Sequence, residues 1–237
     1  MKVFIRTNPN GHPMEDHCSY IQIRTPNMWV REVFCAAVAD GVGSCFCSAE
    51  TSKRAVQLLF RSLTERLTDD RFLRENEDEQ QHQFFLWADT AISEINKTIC
   101  DEYADRPGIG TTLSFALVYG NYVVTASCGD SPVYLLSSNG AIQLLLPLDH
   151  LPDRKNQLTQ CLGSAETDQW MPHITAIYTA PGDRLLLGSD GAFGQLSEAE
   201  ILSLSSEAAE LSGLAHIFLP RAAETTADNQ ALALLEF

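Results

Sequence analysis

One stretch joins an apolar run of strand length to an acidic turn: Val33-Phe34-Cys35-Ala36-Ala37-Val38-Ala39-Asp40-Gly41-Val42-Gly43. The run that ends at Ala39 predicts a buried strand. Aspartate is almost never fully buried unless it is paired or binds a metal, and glycines such as Gly41 and Gly43 let a ligand approach the backbone closely. The stretch therefore predicts that Asp40 is held at the end of a rigid strand, where an ion could use it. An ordinary Asp-Gly turn is the alternative interpretation.

Acidic residues border apolar, strand-like runs at four further places. In chain order these are Glu15-Asp16 before residues 18–23, Gly129-Asp130 after residues 121–127, Ser189-Asp190 after residues 184–188, and Asp228-Asn229 before residues 231–235. Carboxylates without histidine or cysteine partners suit hard cations such as magnesium or manganese, and do not suit zinc. The sequence therefore predicts a site for hard divalent cations at a set of strand ends.

Seven short blocks follow one another in a defined order. They are Met14-Glu15-Asp16, Val38-Ala39-Asp40-Gly41-Val42-Gly43, Gly110-Thr111-Thr112-Leu113, Cys128-Gly129-Asp130-Ser131, Leu158-Thr159-Gln160-Cys161-Leu162-Gly163, Ser189-Asp190-Gly191 and Asp228-Asn229. In this order they resemble the motifs of the metal-dependent protein phosphatase family, the type 2C serine/threonine phosphatases. Each block is short, but the ordered series is specific and covers nearly the whole chain.

Hydrophobic periodicity places helices and strands in separate groups. Helical spacing predicts helices over residues 49–67 and 84–103, with the charged segment 69–83 between them as a loop or a solvated helix end. Strand patterns cover residues 111–119, 122–127, 133–136, 142–146, 174–178 and 184–188. Ser197 and Glu200 form a capping box at a helix start, and another helix is expected near residues 213–225. This segregation favours an α+β fold.

The resemblance supplies the arrangement of these elements. It implies two stacked antiparallel β-sheets flanked by antiparallel helix pairs, which is a four-layer α-β-β-α sandwich. The acidic strand ends would then meet at one edge of the sandwich.

Composition is that of an ordinary globular protein. The 237 residues are 45% hydrophobic and 20% charged, which suits one large domain or two small ones. Because no linker, repeat or low-complexity segment interrupts them, we expect a single domain over residues 1–237. The 31 acidic and 16 basic residues give a formal charge of -15, which argues against a nucleic-acid or anionic-membrane surface.

The cysteine pattern and the N-terminus bear on location. The seven cysteines are odd in number, and Cys45 and Cys47 form the one closely spaced pair, so we expect reduced thiols rather than a disulfide framework or a zinc site. The N-terminal residues lack the form of a signal peptide, and no stretch approaches the ~20 apolar residues of a membrane span. These observations predict a cytoplasmic protein.

The resemblance implies hydrolysis of a phosphate monoester with two bound cations. Such an ester is a dianion that repels a nucleophile, and two divalent ions ~3.5–4 Å apart orient it and lower the pKa of a water that attacks phosphorus in line. Mn²⁺ or Mg²⁺ would fill this role, since both accept oxygen ligands.

The resemblance also implies a role for each acidic block. Asp40 and Asp190 would be the catalytic carboxylates, with Asp40 bridging both ions. Asp190 and Asp228 would hold the first ion, whereas Glu15 and the Gly41 carbonyl would hold the second. Two further positions match the family pattern. Asp130 corresponds to a position associated with a third, weaker ion, with a plain turn residue as the alternative, and Asp16 corresponds to an acidic neighbour that supports the site.

Several departures from the family pattern affect substrate binding. Many relatives carry a phosphate-binding arginine where this chain has Gly11, and His12 or Arg6 would have to replace it unless both are plain surface residues. Gly194 stands where many relatives have an aspartate near the third ion, and Val42 where some have a histidine. Only residues 151–157 stand where relatives have a longer flap, which indicates an open site for phosphorylated loops or tails.

The preferred hypothesis is a metal-dependent phosphatase for phosphoserine and phosphothreonine in proteins, paired with a cognate serine/threonine kinase. The missing arginine and short flap motivate an alternative, a catalytically weak or inactive binding or regulatory module. A phosphatase for small phosphorylated metabolites is a third hypothesis. The complete set of acidic blocks favours the first.

Overall fold

The computed structural model describes residues 1–25, 29, 32–45, 47–106, 108–164 and 171–237. Within these ranges, it describes only the backbone of residues 155 and 156. Across the described ranges the chain forms two five-stranded sheets, a small hairpin and a set of helices. The strands are β1 (Lys2–Asn8), β2 (His17–Arg24), β3 (Glu32–Ala39), β4 (Leu113–Tyr119), β5 (Tyr122–Cys128), β6 (Val133–Leu136), β7 (Ile142–Leu144), β8 (His150–Leu151), β9 (Arg154–Leu158), β10 (His173–Tyr178), β11 (Arg184–Gly188) and β12 (Gln230–Glu236). The helices are α1 (Ser48–Leu67), α2 (Glu77–Glu102), α3 (Asp190–Phe193), α4 (Glu198–Ser206) and α5 (Leu211–Ala223).

Both large sheets are antiparallel throughout. The first has the strand order β1-β12-β11-β6-β7 and the second the order β10-β5-β4-β3-β2, while β8 and β9 form a separate hairpin. In the first sheet β12, the last strand of the chain, pairs with β1 and β11. The two ends of the chain therefore lie side by side in one sheet.

Strand β3 is buried on both faces, which explains its uninterrupted apolar sequence. Phe34, Ala36 and Val38 pack between the two sheets, whereas Cys35 and Ala37 face α1 and α2. A third apolar cluster joins the first sheet to α3, α4 and α5. The layers are thus helix, sheet, sheet and helix, and the predicted α+β four-layer sandwich is confirmed.

Helix α2 begins earlier than its apolar spacing predicts. Asn76 accepts a hydrogen bond from Glu79 N at 3.0 Å, and the Glu79 carboxylate accepts one from Asn76 N at 3.0 Å. This capping box starts the helix within the charged segment 69–83, part of which was expected to be solvated. Gln80 of the segment is buried instead, donates to Phe72 O at 3.1 Å and contacts the Tyr119 hydroxyl.

The capping box that was predicted at Ser197 and Glu200 is present at α4. The Ser197 hydroxyl accepts a hydrogen bond from Glu200 N at 3.3 Å, and Glu200 accepts one from Ser197 N at 2.9 Å. In the part of the chain that the structure describes, no helix has both the length and the apolar character to cross a bilayer. All seven cysteines lie in this part, and none of them is in a disulfide.

Candidate metal centre

The backbone of Asp40 is locked where β3 ends. Its N–H donates to the Thr112 hydroxyl at 2.9 Å, and its carbonyl accepts from Thr112 N at 2.8 Å and from the Thr111 hydroxyl at 2.8 Å. Both threonines are buried. The Asp40 carboxylate is therefore carried by a backbone that three hydrogen bonds hold in place.

Gly41 sits where no other residue fits. A Cβ at this position would lie 2.7 Å from the Glu15 carbonyl oxygen and 2.8 Å from the Ser48 carbonyl oxygen, both of which are backbone atoms. Real Cβ atoms do not approach so closely, so the glycine allows the chain to pass directly against Glu15 and the start of α1. This close passage brings Asp40 and Glu15 to the same cavity.

Glu15 is held by three partners from distant parts of the chain. Its N–H donates to Asn229 Oδ1 at 2.7 Å, its carbonyl accepts from the Ser52 hydroxyl at 2.5 Å, and its Oε1 accepts from the Ser48 hydroxyl at 2.6 Å. Ser48 and Ser52 are one helical turn apart on the buried face of α1. The helix thus positions Glu15 by polar contacts rather than by apolar packing.

Asp190 and Asp228 come from neighbouring strand ends of the first sheet. Ser189 exchanges hydrogen bonds with Ala231 at 2.9 and 3.0 Å, which ties the end of β11 to the start of β12. A Cβ on Gly191 would lie 1.9 Å from the Asn229 carbonyl oxygen. The glycine after Asp190 is therefore required for the two segments to meet.

A cavity of about 800 Å³ opens at this edge of the sandwich. All six predicted metal-site residues line it: Glu15, Asp40, Gly41, Asp130, Asp190 and Asp228. The remaining lining residues are Val42, Gly43, Ser44, Thr112, Leu151, Gln157, Leu158, Thr159 and Cys161. Asp16 is buried beside the cavity and does not line it.

Burial and mutual repulsion raise the pKa values of carboxylates in the cavity. Burial, reinforced by repulsion from Asp16 and Asp190, raises the pKa of Asp40 well above its ordinary value. Burial also raises the pKa of Asp190, with repulsion from Asp228 adding to it and a hydrogen bond with Asp40 opposing it. Asp40 lies within hydrogen-bonding reach of both Asp16 and Asp190, so it stands at the centre of the group.

Two further carboxyls show the same effect. Burial raises the pKa of Asp16 to about 7, although hydrogen bonds with Ser189 and Asp40 act in the opposite direction. Its Oδ2 is buried and has no hydrogen-bond partner. Burial likewise raises the pKa of Asp130 to about 7, and repulsion from Asp190 adds to it.

These observations fit a divalent cation of the magnesium or manganese type. The donors that line the cavity are mainly carboxylate and carbonyl oxygens, the ligands that such ions prefer. Buried carboxylates that repel one another need a compensating charge, and an orphaned buried oxygen marks the same need. Among the described residues, no three histidine, cysteine, aspartate or glutamate side chains form a ready-made metal-binding group, so the fit rests on donor chemistry and uncompensated charge.

The structure bears on two departures from the family pattern, the glycine at position 194 and the missing phosphate-binding arginine. Gly194 has a φ of +56°, and a Cβ there would lie 2.3 Å from the Thr225 hydroxyl oxygen, so a side chain at this position would require Thr225 to move. Arg6 and His12 are exposed and do not line the cavity. Among the described lining residues there is no lysine or arginine, so neither residue replaces the missing arginine there.

Sequence reasoning missed the residues that position the acidic groups. Thr112 was recognised only as part of a motif, and Asn229 only as the neighbour of Asp228. Ser48 precedes the predicted helix by one residue and Ser52 lies within it, and neither was singled out. Their signal was present, because hydroxyl residues at i and i+4 lie on the face of α1 that the apolar pattern directs toward the core.

Comparison with known proteins finds one matching family model and several related phosphatases. The family model described as Protein phosphatase 2C matches residues 7–233. A serine/threonine phosphatase (Stp) of Listeria innocua is 30% identical over 220 residues, covering 84% of this chain and 82% of the relative. The protein phosphatase PhpP of Streptococcus pneumoniae is 31% identical over 110 residues, covering 40% of this chain and 44% of the relative.

Solved structures share the fold at lower identity. The serine/threonine phosphatase Stp1 of Staphylococcus aureus has a TM-score of 0.76 and 23% identity, covering 100% of this chain and 94% of that one. The catalytic domain of the serine/threonine protein phosphatase PstP, solved with two manganese ions, has a TM-score of 0.72 and 23% identity, covering 99% of this chain and 97% of that one. At this level of identity, the similarity shows a shared fold.

Proposed function

The chain belongs to the protein phosphatase 2C family, and we propose that it binds two divalent cations through the oxygen atoms of Glu15, Asp40, Gly41, Asp190 and Asp228. As a member of this family it is a metal-dependent protein serine/threonine phosphatase. The observation that carries the assignment is the cavity at the sandwich edge, where these five residues meet although they are spread from position 15 to position 228.

The separate assignments follow from the positions of the carboxylates. Asp40 is central, within hydrogen-bonding reach of the carboxyl of Asp190, which supports a bridging role for it. Asp190 follows β11 and Asp228 precedes the neighbouring strand β12, and the two would share the first ion. Glu15 packs against the turn at Gly41, which supports a second ion held by its carboxylate and the Gly41 carbonyl.

Asp130 is proposed as a ligand of a third, weaker ion. It lines the cavity, and its raised pKa shows that its charge is poorly compensated. Gly194 supplies no second carboxylate, so such an ion would have few protein ligands. We therefore expect weaker binding there than between Asp40 and Asp190.

The chemistry divides between the ions and the protein. When bound, divalent cations supply positive charge for the phosphate dianion and lower the pKa of a water for attack on phosphorus. The protein holds Asp40 and Glu15 in place through Thr112, Ser48 and Asn229, so little reorganisation accompanies the reaction. The Val42 side chain cannot donate a proton, so a water is the proposed proton donor to the leaving group.

The absent arginine shifts phosphate recognition to the ions. Arginine is the usual bidentate partner of a phosphate, and no arginine or lysine is among the described lining residues. Phosphate affinity is therefore expected to depend steeply on the concentration of Mn²⁺ or Mg²⁺. We propose phosphoserine and phosphothreonine in protein loops or tails as substrates, and a cognate kinase that produces them.

The other hypotheses gain no support. An inactive binding module would be expected to have lost ligands, yet the whole acidic set lines the cavity. The relatives are named as a serine/threonine phosphatase and a protein phosphatase rather than as enzymes of small metabolites. We propose the cytoplasm as the location on the cysteine pattern of the sequence.

The test is turnover of p-nitrophenyl phosphate and of a phosphothreonine peptide with Mn²⁺, with Mg²⁺ and with EDTA. Turnover is expected with either metal and not with EDTA. Replacing a residue that only supports a metal ligand typically lowers activity about 10–100-fold. For Asp190→Asn, which removes a proposed ligand, we expect a larger loss of metal-dependent turnover. Asp89→Asn, at an exposed position of α2, is the matched control. Retention of metal-dependent turnover in Asp190→Asn would contradict the ligand assignment.

A further inference from the structure

Asp149 is a buried carboxylate that the proposed chemistry does not use. Its relative exposure is 7%, and its side chain is fully engaged. Oδ2 accepts from Gly129 N at 2.9 Å and from Gln160 Nε2 at 2.7 Å, and Oδ1 lies 2.8 Å from His173 Nε2. Its backbone adds a bond from Asp149 N to Gly129 O at 3.1 Å and one from Thr159 N to Asp149 O at 2.8 Å. We call these five residues the Asp149 node.

The node joins three segments around the cavity. Gly129 directly precedes Asp130. Gln160 directly precedes Cys161, which lines the cavity. His173 is the first residue of β10, at the edge of the second sheet. A single carboxylate therefore connects the strand end that carries a proposed metal ligand to both segments that follow the β8–β9 hairpin.

The node also closes the base of that hairpin. The hairpin begins at His150, directly after Asp149, and ends at Leu158, directly before Thr159. Gln160 is fixed from its other side, because its Nε2 donates to Met171 O at 2.8 Å and its Oε1 accepts from Met171 N at 3.1 Å. Both ends of the hairpin are thus tied to one buried point.

The hairpin supplies the uncharged wall of the cavity. Leu151, Gln157 and Leu158 line it, together with Thr159, and Leu151 is 39% exposed. No described lining residue is basic. A small phosphate ester needs only the ions and the acidic wall, whereas the chain on either side of a phosphorylated residue must also pass the hairpin.

We propose that Asp149 is a positioning residue that fixes the β8–β9 hairpin against the metal-site edge, and that it thereby determines affinity for the polypeptide part of a phosphoprotein substrate. This inference rests on the proposed phosphatase function and adds a specificity element to it. Burying a carboxylate is costly unless it is hydrogen-bonded. The hydrogen bonds of Asp149 go to Gly129, Gln160 and His173, so they hold the segments at both ends of the hairpin together.

The test uses Gln160→Met, which removes both hydrogen-bonding groups of Gln160 at similar length and does not touch the cavity wall. Gln143→Met, at an exposed position of β7, is the matched control. Asp149→Asn is the second variant. For Gln160→Met we expect KM for a phosphothreonine peptide to rise about tenfold, with kcat/KM for p-nitrophenyl phosphate within twofold of the unmodified protein. For Asp149→Asn we expect a larger rise in KM for the phosphothreonine peptide.

Amide hydrogen exchange gives a readout that does not depend on activity. Exchange in residues 150–158 should accelerate at least tenfold in Gln160→Met and not in Gln143→Met, while exchange in α1 stays unchanged. Unchanged hairpin exchange would overturn the anchoring role. Equal losses on both substrates, or no loss on either, would overturn the specificity role. If the unmodified protein hydrolysed neither substrate with Mn²⁺, the proposed function and this specificity would both fall, and exchange would still decide the anchoring.

Discussion

Asp40 and Thr112 hold each other through a reciprocal pair of hydrogen bonds. Asp40 N donates to Thr112 Oγ1 at 2.9 Å, and Thr112 N donates to Asp40 O at 2.8 Å. The same Thr112 hydroxyl lies 2.6 Å from the Ser131 hydroxyl. One buried threonine thus connects the strand end of Asp40 to the strand end that carries Asp130.

Thr112→Val should leave Asp40 N without an acceptor at nearly unchanged side-chain shape. A buried unsatisfied donor costs about 1–3 kcal/mol, so the free energy of unfolding in urea should fall by this amount. The Mn²⁺ concentration for half-maximal activity should rise. Thr112→Ser keeps the hydroxyl and is the control; if both variants behaved alike, the hydrogen bonds would not be the cause.

Gly41→Ala should disrupt the site. The added Cβ would lie 2.7 Å from the Glu15 carbonyl oxygen, so the turn or Glu15 must move, which typically costs about 1–3 kcal/mol of stability. Metal-dependent turnover should fall at least tenfold. Gly213→Ala in α5 is the matched control: its Cβ would be 3.6 Å from the nearest atom, and alanine stabilises a helix by roughly 0.5–1 kcal/mol over glycine. Unimpaired turnover in Gly41→Ala would refute the packing argument.

Asp16→Asn should have opposite effects with and without metal. Without metal it removes a buried carboxylate that Asp228 and Asp190 repel, so the melting temperature should rise. With saturating Mn²⁺ the variant should gain less stability than the unmodified protein, because ligand stabilisation depends on affinity. Thermal melts at several Mn²⁺ concentrations measure both effects. A lower metal-free melting temperature in the variant would contradict the prediction.

Glu236→Gln should lower stability at neutral pH and not in acid. Hydrogen bonds from Lys2 and Arg184 lower the pKa of Glu236 below its ordinary 4.5. The carboxylate therefore stabilises the fold above the unfolded-state pKa, and this contribution is lost as the pH falls through the lower folded-state pKa. We expect a loss of about 1 kcal/mol at pH 7, measured by urea unfolding.

The comparison across pH is the decisive part of that experiment. The difference between Glu236→Gln and the unmodified protein should shrink as the pH drops below about 4. Lys2→Met is a useful companion, because the Lys2 side chain is 71% exposed and exposed pairs contribute little. A difference that stayed constant with pH would show that the charge of Glu236 is not involved.

Local sequence determined the strand ends and the kind of chemistry. Asp40 and Asp190 follow short apolar runs that predict buried strands, and glycine follows each because the chain passes close to another segment there. The choice of carboxylate over imidazole or thiol already selects hard cations. These properties depend on neighbours within a few residues, which is why ordered motifs were enough to pick out the six residues that meet at the cavity.

Only the tertiary structure decided how those positions are held and what surrounds them. Glu15 depends on Ser48 and Asn229, and the β8–β9 hairpin on Asp149. These contacts join residues 11 to 214 positions apart, so no local pattern reports them. The burial of Gln80 within a charged segment has the same origin, since packing against the second sheet outweighs local polarity. Local residue chemistry thus defined which groups could bind an ion, whereas the stacking of the two sheets defined where they meet.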